Sequence, residues 1–145
     1  MVIPEDRQVL FRVAQWTLEH RYFRVEMIRQ LAGTEENYLI IMKEIDRVKA
    51  QLKRARTLAA EATLTVVDWV QILERFEWQC AYCQEKPFEV MSHIIPLPRG
   101  GTTPENCVPS CYSCSSGARK KYARRRLLAL LERADDYPEQ KYRSG

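Results

Sequence analysis

Four cysteines in two pairs are the residues of this chain whose spacing most directly implies chemistry. The pairs are Cys80-Ala-Tyr-Cys83 and Cys111-Tyr-Ser-Cys114. Two cysteines separated by two residues can turn both sulfurs toward one ion, and two such pairs complete the tetrahedral four-thiolate shell that zinc accepts. Because this shell leaves no open coordination position, we expect a structural zinc ion, and any catalytic group must come from the residues that the zinc site holds in place.

Disulfide bonds and ordinary buried thiols are the alternatives to a zinc site. The chain begins Met-Val-Ile-Pro-Glu-Asp-Arg, without the basic start and apolar core of a signal peptide, and no apolar stretch approaches membrane-spanning length. We therefore expect a cytoplasmic protein with no membrane partner, in which thiols stay reduced and paired cysteines bind metal. Cys107 is expected to be a small buried hydrophobe or a spare thiol rather than a ligand.

The length of 145 residues favours a small metal-stabilised module next to an equally small helical part. We expect a helical amino-terminal region over residues 1–63, a zinc-stabilised module over residues 64–134 and a tail over residues 135–145. The predicted fold class is therefore α+β, and mostly α.

Apolar residues recur at helical spacing along the amino-terminal region. They predict helices from about residue 5 to 19, from about residue 24 to 32, and from a cap at Thr34 to about residue 62. The last two helices, joined at Gly33, resemble a helix-turn-helix with the third helix as recognition helix. The apolar stripe of the third helix can equally pack against the zinc module or against a second copy of the chain, so a homodimer through these helices stays open.

The second half of the chain changes from helical to strand periodicity. Thr65 and Asp68 match a capping box, which predicts a helix leading to the first cysteine pair. A strand is expected from Phe88 to His93, followed by a turn at Gly100 and Gly101 and a return through residues 102–106. A last helix is expected from near residues 113–117 to about residue 134. Two strands and a helix around a zinc ion form a ββα unit.

Positive charge is concentrated after the second cysteine pair, although the net charge is only +4. Six basic residues occupy eight positions there, and no acidic residue opposes them before Glu132. A charge run is often only a solvated helix face, but unopposed positive charge favours DNA phosphates as partner. Arg99, beside the glycine turn, is a further candidate phosphate contact. The six residues are Arg119, Lys120, Lys121, Arg124, Arg125 and Arg126.

The motifs occur in an order that can be compared with known families. They are Cys80-x-x-Cys83, Ser92-His93-Ile94-Ile95-Pro96-Leu97, Arg99-Gly100-Gly101, and Glu105-Asn106-Cys107-Val108-Pro109-Ser110-Cys111-x-x-Cys114. This order resembles the HNH endonuclease family. The resemblance covers about residues 64–121 and leaves the amino-terminal helices outside it.

The resemblance implies a DNA endonuclease that hydrolyses phosphodiester bonds with one divalent ion such as Mg²⁺. His93 matches the general base that deprotonates the attacking water, and Asn106 matches the asparagine that holds the loop and orients the imidazole. The family places Asp before this histidine, and Asn or His after the last cysteine, as ligands of the catalytic metal. This chain has Ser92 and Ser115 at those positions.

Neutral hydroxyl groups bind Mg²⁺ more weakly than carboxylates do, so the sequence leaves two functions open. The first is an HNH-type DNA endonuclease. The second is an HNH-fold zinc protein that binds DNA without cleaving it. A protein-binding adaptor that works through the amino-terminal helices is a third alternative.

Overall fold

The computed structural model of the chain describes residues 7–20, 25–116 and Leu127. The basic run over residues 119–126, most of the predicted last helix and the predicted tail over residues 135–145 lie outside the described residues. The described part is mostly helical and contains one two-stranded antiparallel sheet, as predicted. Among the described residues, none of the helices combines the length and apolar character that a membrane span requires.

Four helices precede the sheet. They are α1 (Arg7–Glu19), α2 (Val25–Ala32), α3 (Glu35–Thr57) and α4 (Val66–Arg75). Their bounds follow the predictions closely, except that α3 ends about five residues earlier than expected. Leu58 closes α3 with hydrogen bonds to its last carbonyls, and Ala59 then adopts a positive φ of 57°, which ends the helical hydrogen bonding.

Side-chain caps fix the starts of α3 and α4. The hydroxyl of Thr34 accepts a hydrogen bond from the backbone N–H of Asn37 at the start of α3. At α4, Thr65 and Asp68 form the predicted capping box, in which each side chain accepts a bond from the other residue's backbone N–H. Such caps satisfy N–H groups that the helix itself leaves unpaired.

The sheet consists of β1 (Val90–His93) and β2 (Cys107–Ser110), and a single short turn, α5 (Tyr112–Ser115), follows it. His93 pairs with Cys107 across the sheet. The strand starts two residues later than predicted because Phe88 is drawn into the core, where its N–H bonds to the carbonyl of Trp78 and its ring packs against Trp69. β2 lies directly before the second cysteine pair. Residues 102–106, through which the chain returns after the glycine turn, are not part of the sheet and bond to other segments.

One apolar cluster joins the amino-terminal helices to α4 and to the sheet. Its largest buried members are Leu10, Val13, Ile28, Ile41, Ile45, Leu64, Trp69, Leu73, Trp78 and Phe88. The apolar stripe of α3 is thus buried within the chain. The proposed division near residues 62–64 remains a prediction, and the cluster shows that residues on its two sides share a core.

A buried ion pair reinforces this contact between α3 and the second half. Glu44 on α3 is 1% exposed, and its Oε1 accepts hydrogen bonds from Arg47 Nε at 2.8 Å and from Trp69 Nε1 at 2.9 Å. Arg47 also donates to the carbonyl of Glu89 at 2.8 Å and lies over the Phe88 ring. A buried carboxylate is tolerated only when it is paired and hydrogen-bonded, and here the partners come from α3 and α4.

Thr102 forms hydrogen bonds with several groups on the other side of the predicted division. It is fully buried, and its N–H donates to the carbonyl of Glu61 at 2.8 Å. Its carbonyl accepts from the N–H groups of Thr63 and Leu64, both at 3.0 Å, and its hydroxyl donates to the α3 carbonyl of Gln51 at 3.2 Å. The double-glycine loop is therefore fixed against both α3 and the segment that follows it.

Gly101 permits this close approach. A Cβ at position 101 would lie 2.6 Å from the Cβ of Glu61 and 2.7 Å from its carbonyl oxygen. The glycine expected only to form a tight turn is thus also required by packing against the other half of the chain.

We expect Thr102→Val to lower the free energy of unfolding by about 1–3 kcal/mol, because it leaves buried hydrogen-bonding groups without their partner at nearly constant side-chain volume. The affected groups are the Gln51 carbonyl and His93 Nε2, which lies 2.9 Å from the Thr102 hydroxyl. Urea unfolding of the zinc-loaded protein measures the change. Thr103→Val is the matched control, since Thr103 is also buried but its hydroxyl makes no hydrogen bond with the described residues. Equal losses in both variants would contradict the role of Thr102.

Candidate zinc centre and adjacent polar site

The four paired cysteines converge on one point. The sulfurs of Cys80, Cys83, Cys111 and Cys114 all lie within 4.8 Å of one another, and none forms a disulfide. Four sulfurs at about 2.3 Å from one zinc ion are about 3.8 Å apart, so a small inward movement of the side chains gives this geometry. The cluster can hold one zinc ion, as the spacing of the pairs predicted.

Cys107 is not part of this cluster. It lies on β2 opposite His93, in the apolar cluster of the helices, and is 1% exposed. Burial raises the pKa of its thiol to about 12, so it stays protonated and uncharged at neutral pH. The sequence expectation of a small buried hydrophobe describes it correctly.

The two cysteine pairs have equivalent backbone turns. The carbonyl of Cys80 accepts a bond from the N–H of Gln84 at 2.9 Å, and the carbonyl of Cys111 accepts from the N–H of Ser115 at 3.1 Å. The first turn is attached to the sheet because the N–H of Ala81 donates to the Pro109 carbonyl on β2 at 2.9 Å. The sheet therefore positions the first pair by hydrogen bonds and the second pair by direct chain continuity.

Burial and nearby N–H groups have opposite effects on the pKa values of these thiols. Burial raises the pKa of Cys83, but backbone N–H groups of Glu85 and Lys86 directed at its sulfur lower that pKa overall, to about 7. Burial raises the pKa of Cys114 to about 12, and it also raises the pKa of Cys111. Zinc binds the thiolates and must displace these protons, so its binding weakens as the pH falls.

His93 lies at the end of β1 and is 8% exposed. Its Nε2 is 2.9 Å from the hydroxyl of Thr102. The same hydroxyl lies 3.2 Å from the Gln51 carbonyl. It can therefore donate to that carbonyl and accept from Nε2, or donate to Nε2, according to the tautomer of the imidazole. The contact holds the ring of the residue that the sequence selected as candidate base.

Asn106 holds the loop that follows β1. Its Oδ1 accepts from the N–H of Ile95 at 2.8 Å, and its Nδ2 donates to the carbonyls of Ile95 at 2.9 Å and Gly101 at 2.8 Å. Both amide protons are therefore used within the loop. A Cβ at Gly100 would lie only 2.5 Å from the Asn106 Nδ2. The loop-holding role expected for Asn106 has a direct geometric basis.

Thr102 and Gln51 are the contributors to this site that sequence reasoning missed. The available signal for Thr102 was a threonine directly after a double glycine, next to a motif that contains a candidate base. No local signal marks Gln51, because it acts through a backbone carbonyl within a helix. Its side-chain Oε1 is buried without a hydrogen-bond partner among the described residues.

Ser92 and Ser115 occupy the positions at which the resemblance expects ligands of a catalytic metal. Ser92 is 6% exposed, and its Oγ accepts a long hydrogen bond of 3.5 Å from the Tyr82 hydroxyl. Ser115 donates from Oγ to the carbonyl of Tyr112 at 3.2 Å. Both groups are neutral hydroxyls, which a hard divalent cation binds poorly without carboxylates.

Carboxylates do not replace them in the part of the chain that is described. There, the four-cysteine cluster is the only group of three or more His, Cys, Asp or Glu side chains close enough to share a metal ion. Glu89 is the nearest acidic residue to α5, and its Oε1 accepts a bond from the N–H of Tyr112 at 3.1 Å. The donor set therefore fits zinc at the cysteines and does not fit Mg²⁺ at the serines.

Two further observations concern the predicted phosphate contacts. Arg99 is exposed on the loop that Asn106 holds. Leu127, just beyond the basic run, is buried in a second apolar cluster together with the zinc cysteines, Ile94 and Val108. The six basic residues over residues 119–126 lie outside the described residues, so their assignment to DNA stays a prediction.

Comparisons of this chain with known proteins identify no relative. No family model, no curated protein and no solved structure gives a significant match to this chain.

We expect the purified protein to contain one zinc ion per chain and Cys114→Ser to abolish its tight binding, because a serine hydroxyl does not replace a thiolate ligand. Cys107→Ala should keep the metal, since Cys107 lies outside the cluster. Metal analysis of both variants measures this.

Removal of zinc should unfold the half that contains the cysteines, because structural zinc contributes on the order of 10 kcal/mol in small modules. A melting curve that strong chelators leave unchanged would contradict a structural role for the ion.

Proposed function

We propose that the chain is an HNH-type zinc module that binds DNA and does not cleave it. The observation that carries the proposal is the combination of a four-cysteine cluster with a two-stranded sheet that ends at His93 and leads into the second cysteine pair. The Asn106 hydrogen bonds, which hold the double-glycine loop between these strands, support the same assignment. These parts follow the order of motifs in the HNH family.

DNA is the proposed partner because of the charge next to the zinc centre. Between Asn106 and Leu131 the chain has six basic residues and no acidic one. The six basic residues follow the second cysteine pair in the chain. Leu127, directly after them, packs beside the four paired cysteines. Clustered positive charge binds DNA by releasing the counterions that surround its phosphates.

Binding without cleavage is favoured by the two serines. Hydrolysis of a phosphodiester in the HNH family needs a divalent ion that stabilises charge at the scissile phosphate. Ser92 and Ser115 offer neutral oxygen atoms at the ligand positions, and no carboxylate cluster replaces them within the described residues. We therefore derive no hydrolytic step for this chain.

An HNH-type endonuclease is the second candidate, and one observation favours it. His93 occupies the position of the general base at the end of β1, and its hydrogen bond to Thr102 fixes the ring. A neutral imidazole can take a proton from water if a metal is bound by substrate phosphate and other ligands.

We expect the zinc-loaded protein to retard supercoiled plasmid on a gel without nicking it in Mg²⁺, Mn²⁺ or Ni²⁺. The double variant Ser92→Asp/Ser115→Asn restores the charged and amide ligands and should gain metal-dependent nicking, which His93→Ala in the same background should remove. Metal-dependent nicking by the unmodified protein, lost in His93→Ala, would establish the endonuclease instead.

Neutralising part of the basic run should weaken DNA binding in a salt-dependent way. For Arg124→Gln/Arg125→Gln/Arg126→Gln, we expect the slope of log Kobs against log salt concentration to fall in magnitude by up to about 2.7, since each phosphate contact contributes about 0.9. Fluorescence anisotropy with a short labelled duplex measures the slope. The matched control replaces the three arginines by lysine and should keep the slope. Failure of the unmodified protein to bind DNA at low salt would refute the proposal and favour a protein-binding adaptor.

A further inference from the structure

Glu89 lies directly before β1 and forms hydrogen bonds with three different segments of the chain. Its N–H donates to the carbonyl of Ser110, the last residue of β2, at 2.9 Å. Its carbonyl accepts from Arg47 Nη1 on α3 at 2.8 Å. Its side-chain Oε1 accepts from the N–H of Tyr112 at 3.1 Å. Glu89 therefore connects α3, the sheet and the turn that carries the second cysteine pair.

The backbone of Glu89 is held on both sides. On one side it bonds to β2, and on the other to Arg47, which is itself held by the ion pair with the buried Glu44 at 2.8 Å and by its position over the Phe88 ring. The Glu89 side chain is exposed to solvent. Because its backbone is fixed, the carboxylate is nevertheless directed at one N–H group, that of Tyr112.

That N–H group lies between two of the four paired cysteines. Cys111 directly precedes the helical turn α5, and its side chain makes no hydrogen bond to the backbone of this turn, since its sulfur belongs to the metal cluster. The first N–H groups of a helical turn have no partner within the turn. Glu89 supplies the partner for Tyr112. Its bond therefore fixes the turn that orients both Cys111 and Cys114.

The Glu89 carboxylate has two opposite effects on zinc affinity. A zinc ion with four thiolates carries net negative charge and repels a further carboxylate, but water and salt reduce repulsion that involves an exposed group. The hydrogen bond acts in the other direction, because it holds the cysteine turn in one geometry. Residues that orient metal ligands change metal affinity by about 10–100-fold. We therefore expect the hydrogen bond to dominate.

We infer that Glu89 is a positioning residue of the zinc centre: its carboxylate holds the Cys111–Cys114 turn in the geometry that binds the ion. Glu89 does not belong to the group of side chains that can share the ion, so it acts through the turn. This inference requires zinc binding by the four cysteines and is independent of the proposed DNA binding. It also gives α3 a role at the zinc centre, since Arg47 holds the backbone of Glu89.

The test compares the zinc affinity of Glu89→Ala and Glu89→Gln in the full chain. Glu89→Ala removes the acceptor of the Tyr112 N–H and should weaken zinc binding by about 10-fold, the lower end of the range because the bond is exposed. Glu89→Gln keeps an acceptor oxygen and removes the charge, so its affinity should equal or exceed that of the unmodified protein. Competition with a chromophoric zinc chelator at neutral pH measures the affinities.

Glu85→Ala is the matched control. It removes another exposed carboxylate close to the cluster, two residues after Cys83, without changing the turn of the second pair. Its zinc affinity should equal that of the unmodified protein. Absorption spectra of the cobalt(II)-loaded variants report whether four sulfurs still bind the ion, and circular dichroism of the zinc-loaded variants reports whether the helices are retained.

The outcomes separate positioning from a charge effect. Unchanged zinc affinity in Glu89→Ala would refute the inference. Tighter zinc binding in both Glu89→Ala and Glu89→Gln would overturn it, because repulsion by the carboxylate would then dominate. An equal loss of affinity in both variants would also overturn it, since a neutral acceptor should restore the hydrogen bond. An unmodified protein that binds no zinc would refute the zinc centre together with this inference, whereas absence of DNA binding would refute only the proposed function.

Discussion

The contacts of Thr102 connect the amino-terminal helices to the zinc module, which the sequence analysis treats as separate parts. Its N–H, carbonyl and hydroxyl bond to Glu61, to the start of the segment leading to α4, and to Gln51 on α3. The same hydroxyl forms a hydrogen bond with His93 Nε2. Because all these groups are buried, losing one leaves others without a partner, and the positions of helix, loop and imidazole are set together. The amino-terminal helices thus support the candidate site directly.

The small sheet separates two apolar clusters that are stabilised in different ways. Side chains alternate across a strand, so Cys107 packs into the cluster of the helices while its neighbour Val108 packs beside the zinc cysteines. The cluster of the helices is large and buries several aromatic rings. The cluster around the cysteines is small, and a domain part of that size depends on a metal for stability. Cys107 faces the side of the sheet opposite to Val108 and therefore lies away from the cysteine cluster.

Local signals predicted most of the fold, and contacts between distant segments account for the misplaced start of β1 and for the absence of Thr102 from the predicted site. The caps at Thr34 and Thr65 and the spacing of the cysteine pairs involve residues a few positions apart, and the structure confirms them. The predicted start of β1 is two residues too early because the N–H of Phe88 bonds to the carbonyl of Trp78 instead of pairing within the sheet. The hydrophobic periodicity of the sequence does not reveal this contact. Thr102 was missed for the same reason, since its hydrogen-bond partners lie up to 51 residues away in the chain.

Under the proposed function, binding and cleavage of DNA would depend on different residues, so that one can be present without the other. The cysteine cluster and the Asn106 hydrogen bonds do not involve a catalytic ion. An aspartate at position 92 would place a negative charge near the scissile phosphate, and that charge is favourable only when a cation lies between the two. A serine at this position carries neither the repulsion nor the ligand. Under the proposed function, Ser92 would therefore weaken metal-dependent cleavage and, in the absence of the metal, favour the bound state of the DNA.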